Sequence, residues 1–160
     1  MPAGESSAWE VAAGVADPEL PDLTLEDLGV LRSVDVGPDG EVAVVLTPTY
    51  SGCPALEVMR QDVIAALRSA GHQSVRVDFQ LQPAWTTDLM GPRGRERLAE
   101  MRIAPPPPAG SGPLLQVSLK CPQCGSLRTR ETSHFGSTSC KSLWRCLACG
   151  EPFEHFKALY

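Results

Sequence analysis

Apolar positions recur along the chain with two different periods. Trp9, Val11, Ala12 and Val15 gather on one side of a helical wheel, so residues 8–16 predict an amphipathic helix. Asp17-Pro18 should end it, because the residue before a proline disfavours helix. Residues 30–36 and 41–47 are β-rich runs joined by Gly37-Pro38-Asp39-Gly40, a hairpin signal. Residues 54–70 place Leu56, Met59, Val63 and Leu67 at helical spacing with Ile64 beside them, and Gly71 is a natural stop. Residues 74–81 alternate Val75, Val77, Phe79 and Leu81, a half-buried third strand, and residues 94–102 predict a charged helix. No internal repeat is visible. The front part thus reads as α+β, a short mixed sheet packed by helices.

The pattern changes near residue 104. Residues 105–108 are four consecutive prolines, which cannot donate backbone hydrogen bonds and favour an extended conformation. The Gly-Ser-Gly that follows is flexible. Beyond it, residues 127–133, 143–146 and 153–159 predict strands. The expected organisation is therefore a front domain over 1–104, a Pro/Gly linker over 105–113, and an all-β domain over 114–160.

Composition narrows the class. The chain has 160 residues, 42% hydrophobic and 21% charged, ordinary values for a globular protein. No apolar run reaches the roughly 18 residues of a membrane span, so no membrane insertion is expected. Residues 1–10 show neither a basic n-region nor an apolar h-region, and a reducing cytoplasm is the expected compartment. The net charge of -5 divides into -8 up to Pro113 (16 acidic, 8 basic) and +3 after it (3 acidic, 6 basic). The acidic front argues against binding a phosphate backbone.

Five of the six cysteines lie in the tail. Cys121-Pro122-Gln123-Cys124 and Cys146-Leu147-Ala148-Cys149 are two CxxC turns, with 21 residues between Cys124 and Cys146. Two residues between cysteines aim both sulfurs at one point, and two such turns supply a tetrahedron, which is a zinc-ribbon layout. Four thiolates close the coordination sphere, so the metal should be structural. Zinc is the expected ion, iron is the chemical rival because thiolates accept both, and a reducing compartment disfavours two disulfides. A tail of some 47 residues is small enough to need the metal for stability. Four thiolates with one divalent cation add -2, leaving the tail near +1 and a poor grip for nucleic acid.

Cys53 stands alone in the front part. A strand ends and a helix begins around Thr47-Pro48-Thr49-Tyr50-Ser51-Gly52-Cys53-Pro54. Proline suits the first helical position, which places Cys53 at or beside the N-cap, where the helix end would favour a thiolate. A nucleophile or transient metal ligand would be built this way, and so would a small buried core cysteine. Cys140 has no CxxC partner; Lys141 could favour its thiolate, or the residue is simply buried. His72, His134 and His155 show no metal spacing and read as surface or packing residues.

These residues resemble a known family. Asp17-Pro18-Glu19-Leu20-Pro21, followed by Leu46-Thr47-Pro48-Thr49-Tyr50-Ser51-Gly52-Cys53-Pro54-Ala55, is similar to the SufT-type iron–sulfur assembly domain. Phe135-Gly136-Ser137-Thr138 with Cys140-Lys141, Cys149-Gly150-Glu151-Pro152-Phe153 with Phe156-Lys157, and Thr86-Thr87-Asp88 before Gly94-Arg95-Glu96-Arg97-Leu98 resemble the PaaD (PaaJ) family of the phenylacetyl-CoA epoxidase system. The resemblance runs from about residue 8 to 157. It implies an accessory component of a multicomponent monooxygenase, helping to mature an iron–sulfur or di-iron centre that other subunits carry. It implies Cys53 as functional thiol, Asp17 and Thr49 as neighbouring positions, and Cys121, Cys124, Cys146 and Cys149 as metal ligands. Its expected partners are epoxidase or reductase subunits of phenylacetate breakdown. His155 departs from the acidic or polar residue expected in relatives.

The residues themselves encode no GxGxxG, no Walker A loop and no Glu-x-x-His pair for a di-iron bundle, so a non-catalytic role is expected. A single thiolate is too few to hold a cluster, so a second copy of the chain or a client should complete the site around a transient iron or cluster. The competing readings are a docking subunit of the epoxidase, a thiol redox enzyme using Cys53 and Cys140, and a nucleic-acid-binding ribbon.

Overall fold

The computed structural model describes residues 3–107 and 118–157. The chain forms two compact units. One comprises residues 1–85 and 89–91, the other 86–88 and 92–160.

The front unit opens with α1 (Ala3–Ala13). This helix stops earlier than the Asp17-Pro18 signal suggests. The N–H groups of Gly14 and Val15 turn back to Glu10 O (3.1 Å) and Ala12 O (3.3 Å), and Ala16 then bridges Thr24 in extended conformation. Strands β1 (Leu31–Val36) and β2 (Val42–Leu46) form the predicted hairpin. Helix α2 (Leu56–Ser69) carries the chain over to β3 (Val75–Phe79), which pairs parallel with β2, from Val42 opposite Val75 to Leu46 opposite Phe79. A parallel pair needs such a crossover. The mixed sheet has the order β1-β2-β3. Val42, Val44 and Leu46 on one face of β2 are fully buried, as are Val63 and Leu67 of α2 and Ala8 and Ala12 of α1. Burying an aliphatic side chain contributes about 1.5–3 kcal/mol, so this layer is the front unit's source of stability.

The second unit begins before the prolines. Helix α3 (Pro92–Glu100) leads into a two-residue strand, β4 (Ile103–Ala104), which pairs parallel with β7 (Pro152–Phe156). Between them, β6 (Lys141–Cys146) lies antiparallel to both β5 (Thr129–Ser133) and β7, giving the order β4-β7-β6-β5. Residues 92–104, on the near side of the expected 104/105 boundary, fall in the same compact unit as the ribbon strands. The prolines are not a bare spacer at their start either. The Arg95 guanidinium donates to Pro106 O (2.7 Å), Pro107 O (3.1 Å) and Thr87 O (2.8 Å), holding the first of them in the second unit. The rest of the expected linker, 108–113, and the end of the expected last strand, 158–159, lie outside the described residues.

Candidate metal centre and thiol site

The two CxxC turns are built alike. In the first, the N–H of Cys121 donates to Ser126 O (2.9 Å) and that of Gly125 to Cys121 O (2.9 Å). In the second, the N–H of Cys146 donates to Glu151 O (2.9 Å) and that of Gly150 to Cys146 O (3.0 Å). Each loop closes on a glycine in the left-handed region, at φ 74° for Gly125 and 81° for Gly150, where a side chain would be strained. The leading cysteine of each turn is buried and the trailing one exposed. Cys146 Sγ also faces the N–H groups of Ala148 (3.4 Å) and Cys149 (3.5 Å).

The four sulfurs meet. All lie within 4.8 Å of one another, with Cys121 to Cys149 at 3.9 Å and Cys124 to Cys146 at 3.6 Å. Metal–sulfur bonds of about 2.3 Å in a tetrahedron set sulfurs roughly 3.8 Å apart, and the two individual separations given above match that spacing, so the donor set fits a tetrathiolate ion. Its protonation points the same way. The Cys149 N–H, acting against burial and helped by the Ala148 N–H and neighbouring thiols, draws Cys146 down to about 6. Although the Glu151 N–H favours a Cys149 thiolate, desolvation and shared protons from Cys124, Cys146 and Cys121 push Cys149 up to about 12. Cys146 and Cys149 are thus driven in opposite directions, and a divalent cation would favour the thiolate of both and displace their protons.

Cys53 departs from the expected geometry. The N-cap of α2 is Ala55, without a side-chain cap, so Cys53 lies two residues upstream and Pro54 precedes the cap. The residue is 8% exposed. Burial raises its pKa, the Ala55 N–H opposes this, and the charges of Glu19 and Asp17 raise it further. The thiol is thus held protonated, the reverse of the thiolate anticipated from a helix end. Two carboxylates and a desolvated place outweigh one N–H.

Asp17 is within electrostatic reach of Cys53. It is buried, and its Oδ1 accepts the N–H groups of Glu19 (2.9 Å) and Leu20 (2.8 Å). Thr49 is half-buried nearby in sequence. Two further features go beyond that set. Glu19 adds a second carboxylate near the sulfur, and the Thr47 hydroxyl, on a residue 1% exposed, has no hydrogen-bond partner. The Asp-Pro-Glu triplet is the available signal for Glu19; nothing in the sequence marks an unpaired hydroxyl. The Tyr50 ring lies 3.0 Å from where a Gly52 Cβ would stand, so a side chain there would displace the ring.

Cys140 is buried, with Thr138 Oγ1 at 3.0 Å from its sulfur. The neighbouring Lys141 ammonium donates to Glu154 Oε2 (2.9 Å) from a buried position. His155 is buried, faces Ala104 O (3.0 Å) and meets the Trp144 ring edge-on, a packing role.

Comparison with known proteins places both halves. The PaaD zinc beta ribbon domain matches residues 105–157, and the "Iron-sulfur cluster assembly protein" family matches residues 8–79. The chain is 45% identical over 151 residues to a component of the Escherichia coli "Putative 1,2-phenylacetyl-CoA epoxidase", covering 94% of this chain and 91% of that one. The chain belongs to the PaaD family. The front half of this PaaD-family chain is 40% identical over 77 residues to an "Fe-S protein maturation auxiliary factor" of Porphyromonas gingivalis, covering 48% of this chain and 72% of the relative. Its fold is that of a Bacillus anthracis domain of unknown function, DUF59 (TM-score 0.56, 23% identity, 60% of this chain and 92% of the other). No helix among the described residues of the PaaD-family chain is long and apolar enough to cross a membrane.

Proposed function

We propose that the chain is a cytoplasmic accessory component of a phenylacetyl-CoA epoxidase system that assists the maturation of an iron–sulfur or di-iron centre and carries no catalytic centre itself. Cys53, with Asp17, Glu19 and Thr49 around it, takes iron or a cluster as cargo and passes it to an epoxidase or reductase subunit. Cys121, Cys124, Cys146 and Cys149 hold a structural zinc ion that shapes the ribbon for docking. The observation that carries this reading is the union in one chain of an assembly-type domain, with its one cysteine beside two carboxylates, and a closed four-sulfur site.

A protonated Cys53 must release its proton to bind metal, and a cation beside Asp17 and Glu19 would drive that release. One sulfur does not complete a cluster site, so a second copy or the client supplies further ligands. The test compares wild type with Cys53→Ser in cells expressing the epoxidase subunits. Client iron and sulfide, and epoxidation, should fall in the variant while the ribbon keeps its metal. Unchanged client metallation removes the thiol from the function.

The low exposure and raised pKa of Cys53 favour a second reading, in which the chain only stabilises the epoxidase complex. Then Cys53→Ser is silent and loss of the ribbon metal is not.

A further inference from the structure

The ribbon sheet has an outward face that its fold leaves charged and greasy. On antiparallel strands, residues directly opposite share a face. Arg130 of β5 stands directly opposite Arg145 of β6, and both are exposed. Two positions along on β6, Leu143 continues the face opposite Ser133, and it is 36% exposed. At the knuckle end, Leu147 donates its N–H to Arg128 O (2.7 Å), beside Leu127. Leu127 and Leu147 are 63% and 52% exposed.

Like charges directly across a strand pair destabilise a sheet. Among the described residues none of Arg128, Arg130 and Arg145 is ion-paired; Arg145 spends only its Nε on Gly150 O (3.3 Å). Of the ribbon's three carboxylates, Glu131 and Glu154 are already engaged, by His134 and by Lys141, and Glu151, next to the Pro152 that stands opposite Arg145, forms no ion pair among the described residues. The face therefore carries an unneutralised pair of guanidinium groups framed by exposed leucines. Arginine among apolar residues is the composition of a protein interface core. Polyanion binding fits less well: among the described residues this face presents no aromatic ring to stack a base, and Phe135, 63% exposed, lies beyond it with the Lys157 ammonium 4.5 Å from its ring centre and the His134 ring edge-on. The metal-loaded quartet next to it also bears net negative charge.

We propose that the exposed face of the β5–β6 hairpin, centred on Arg130 and Arg145, is the docking surface for a partner protein that presents carboxylates spaced by apolar side chains. It deepens the docking role given to the ribbon above and rests on that reading, but not on the cargo role of Cys53. Partner carboxylates accept from both guanidinium groups at once and remove the repulsion between them, while the leucines close the rim.

The experiment titrates the zinc-loaded full chain, 15N-labelled, with an N-acetylated peptide alternating glutamate and leucine. The controls are its lysine–leucine counterpart and a single-stranded DNA oligonucleotide. Amide shifts are expected at Arg128, Arg130, Leu143 and Arg145, with the acidic peptide alone. R130Q/R145Q should weaken binding at least tenfold while keeping one zinc per chain, and Cys53→Ser should leave it unchanged. Failure of the acidic peptide to bind at low salt overturns the proposal. So do equal or tighter binding of the oligonucleotide, shifts confined to other residues, or indifference to the double substitution. Binding that survives Cys53→Ser while client metallation also survives it would retain the docking face and discard the cargo role.

Discussion

The two units reach stability by different routes. The front unit has a layer of fully buried side chains, among them Leu23, Leu25, Val42, Val44, Leu46, Val63 and Leu67, drawn from helices, strands and loops alike. The ribbon has a core cluster of Ala104, Leu119, Cys121, Trp144, Cys146 and Phe153. Two of those six are sulfur donors of the quartet, so the ion's attachment points are themselves core residues. In the front unit a cysteine is something the core can spare for chemistry. In the ribbon two of the four clustered cysteines are part of the core. That contrast is the physical basis of the proposed division of labour, with one sulfur for exchange and four for structure.

The strongest way to break the comparison is to take the metal away. Cys146→Ser, or a chelator, should unfold the ribbon and leave the front unit folded, read by near-UV circular dichroism and amide spectra. Structural zinc contributes on the order of 10–16 kcal/mol of apparent binding free energy in small peptides, far more than any single side chain here. Simultaneous collapse of both units would show that they are not independent.

The converse change is Leu67→Ala, which empties a fully buried site in α2. It should cost the front unit about 2–5 kcal/mol in denaturant melts while metal content stays unchanged. Within the ribbon, Glu154→Gln strands the buried Lys141 ammonium. Its cost should stay below the ~3–5 kcal/mol of a fully buried pair, because Glu154 is 24% exposed. Comparing melts with and without bound zinc would show how far the metal masks that loss.

The smallest effect concerns pH. The folded pKa of Cys53 lies above its ordinary value of 9.0. Its contribution to stability is therefore complete below the ordinary thiol range and fades as pH climbs through the raised value. Cys53→Ala should flatten the alkaline limb of the front unit's stability curve without steepening it anywhere. A steeper limb in the variant would mean that the thiol is not held protonated.

Much of the fold is legible in the chain. Leu56, Met59, Val63 and Leu67 announce α2, the Gly-Pro-Asp-Gly turn announces the β1–β2 hairpin, and the paired CxxC turns announce the four-sulfur cluster, because spacing alone dictates those geometries. Ile103–Ala104 is invisible to such a reading because two residues have no period. Its pairing with β7 spans some fifty residues, and such a partner lies beyond any local pattern. The end of α1 is hidden for a related reason: Gly14 and a bridge between Ala16 and Thr24 stop the helix before the proline signal is reached. At Cys53 the local rule for helix ends cannot see the burial of the sulfur, nor Glu19 and Asp17 brought close by the fold.

The alternation of hidden and outward sulfurs in the two knuckles gives the metal a back and a front. Cys121 and Cys146 anchor it from behind, and Cys124 and Cys149 form an edge turned to water. A bound ion would be open to scavengers and oxidants along that edge, with Cys121 and Cys146 as its shielded donors. The outward pair would be the first to meet a chelator or peroxide, and the hidden pair the last.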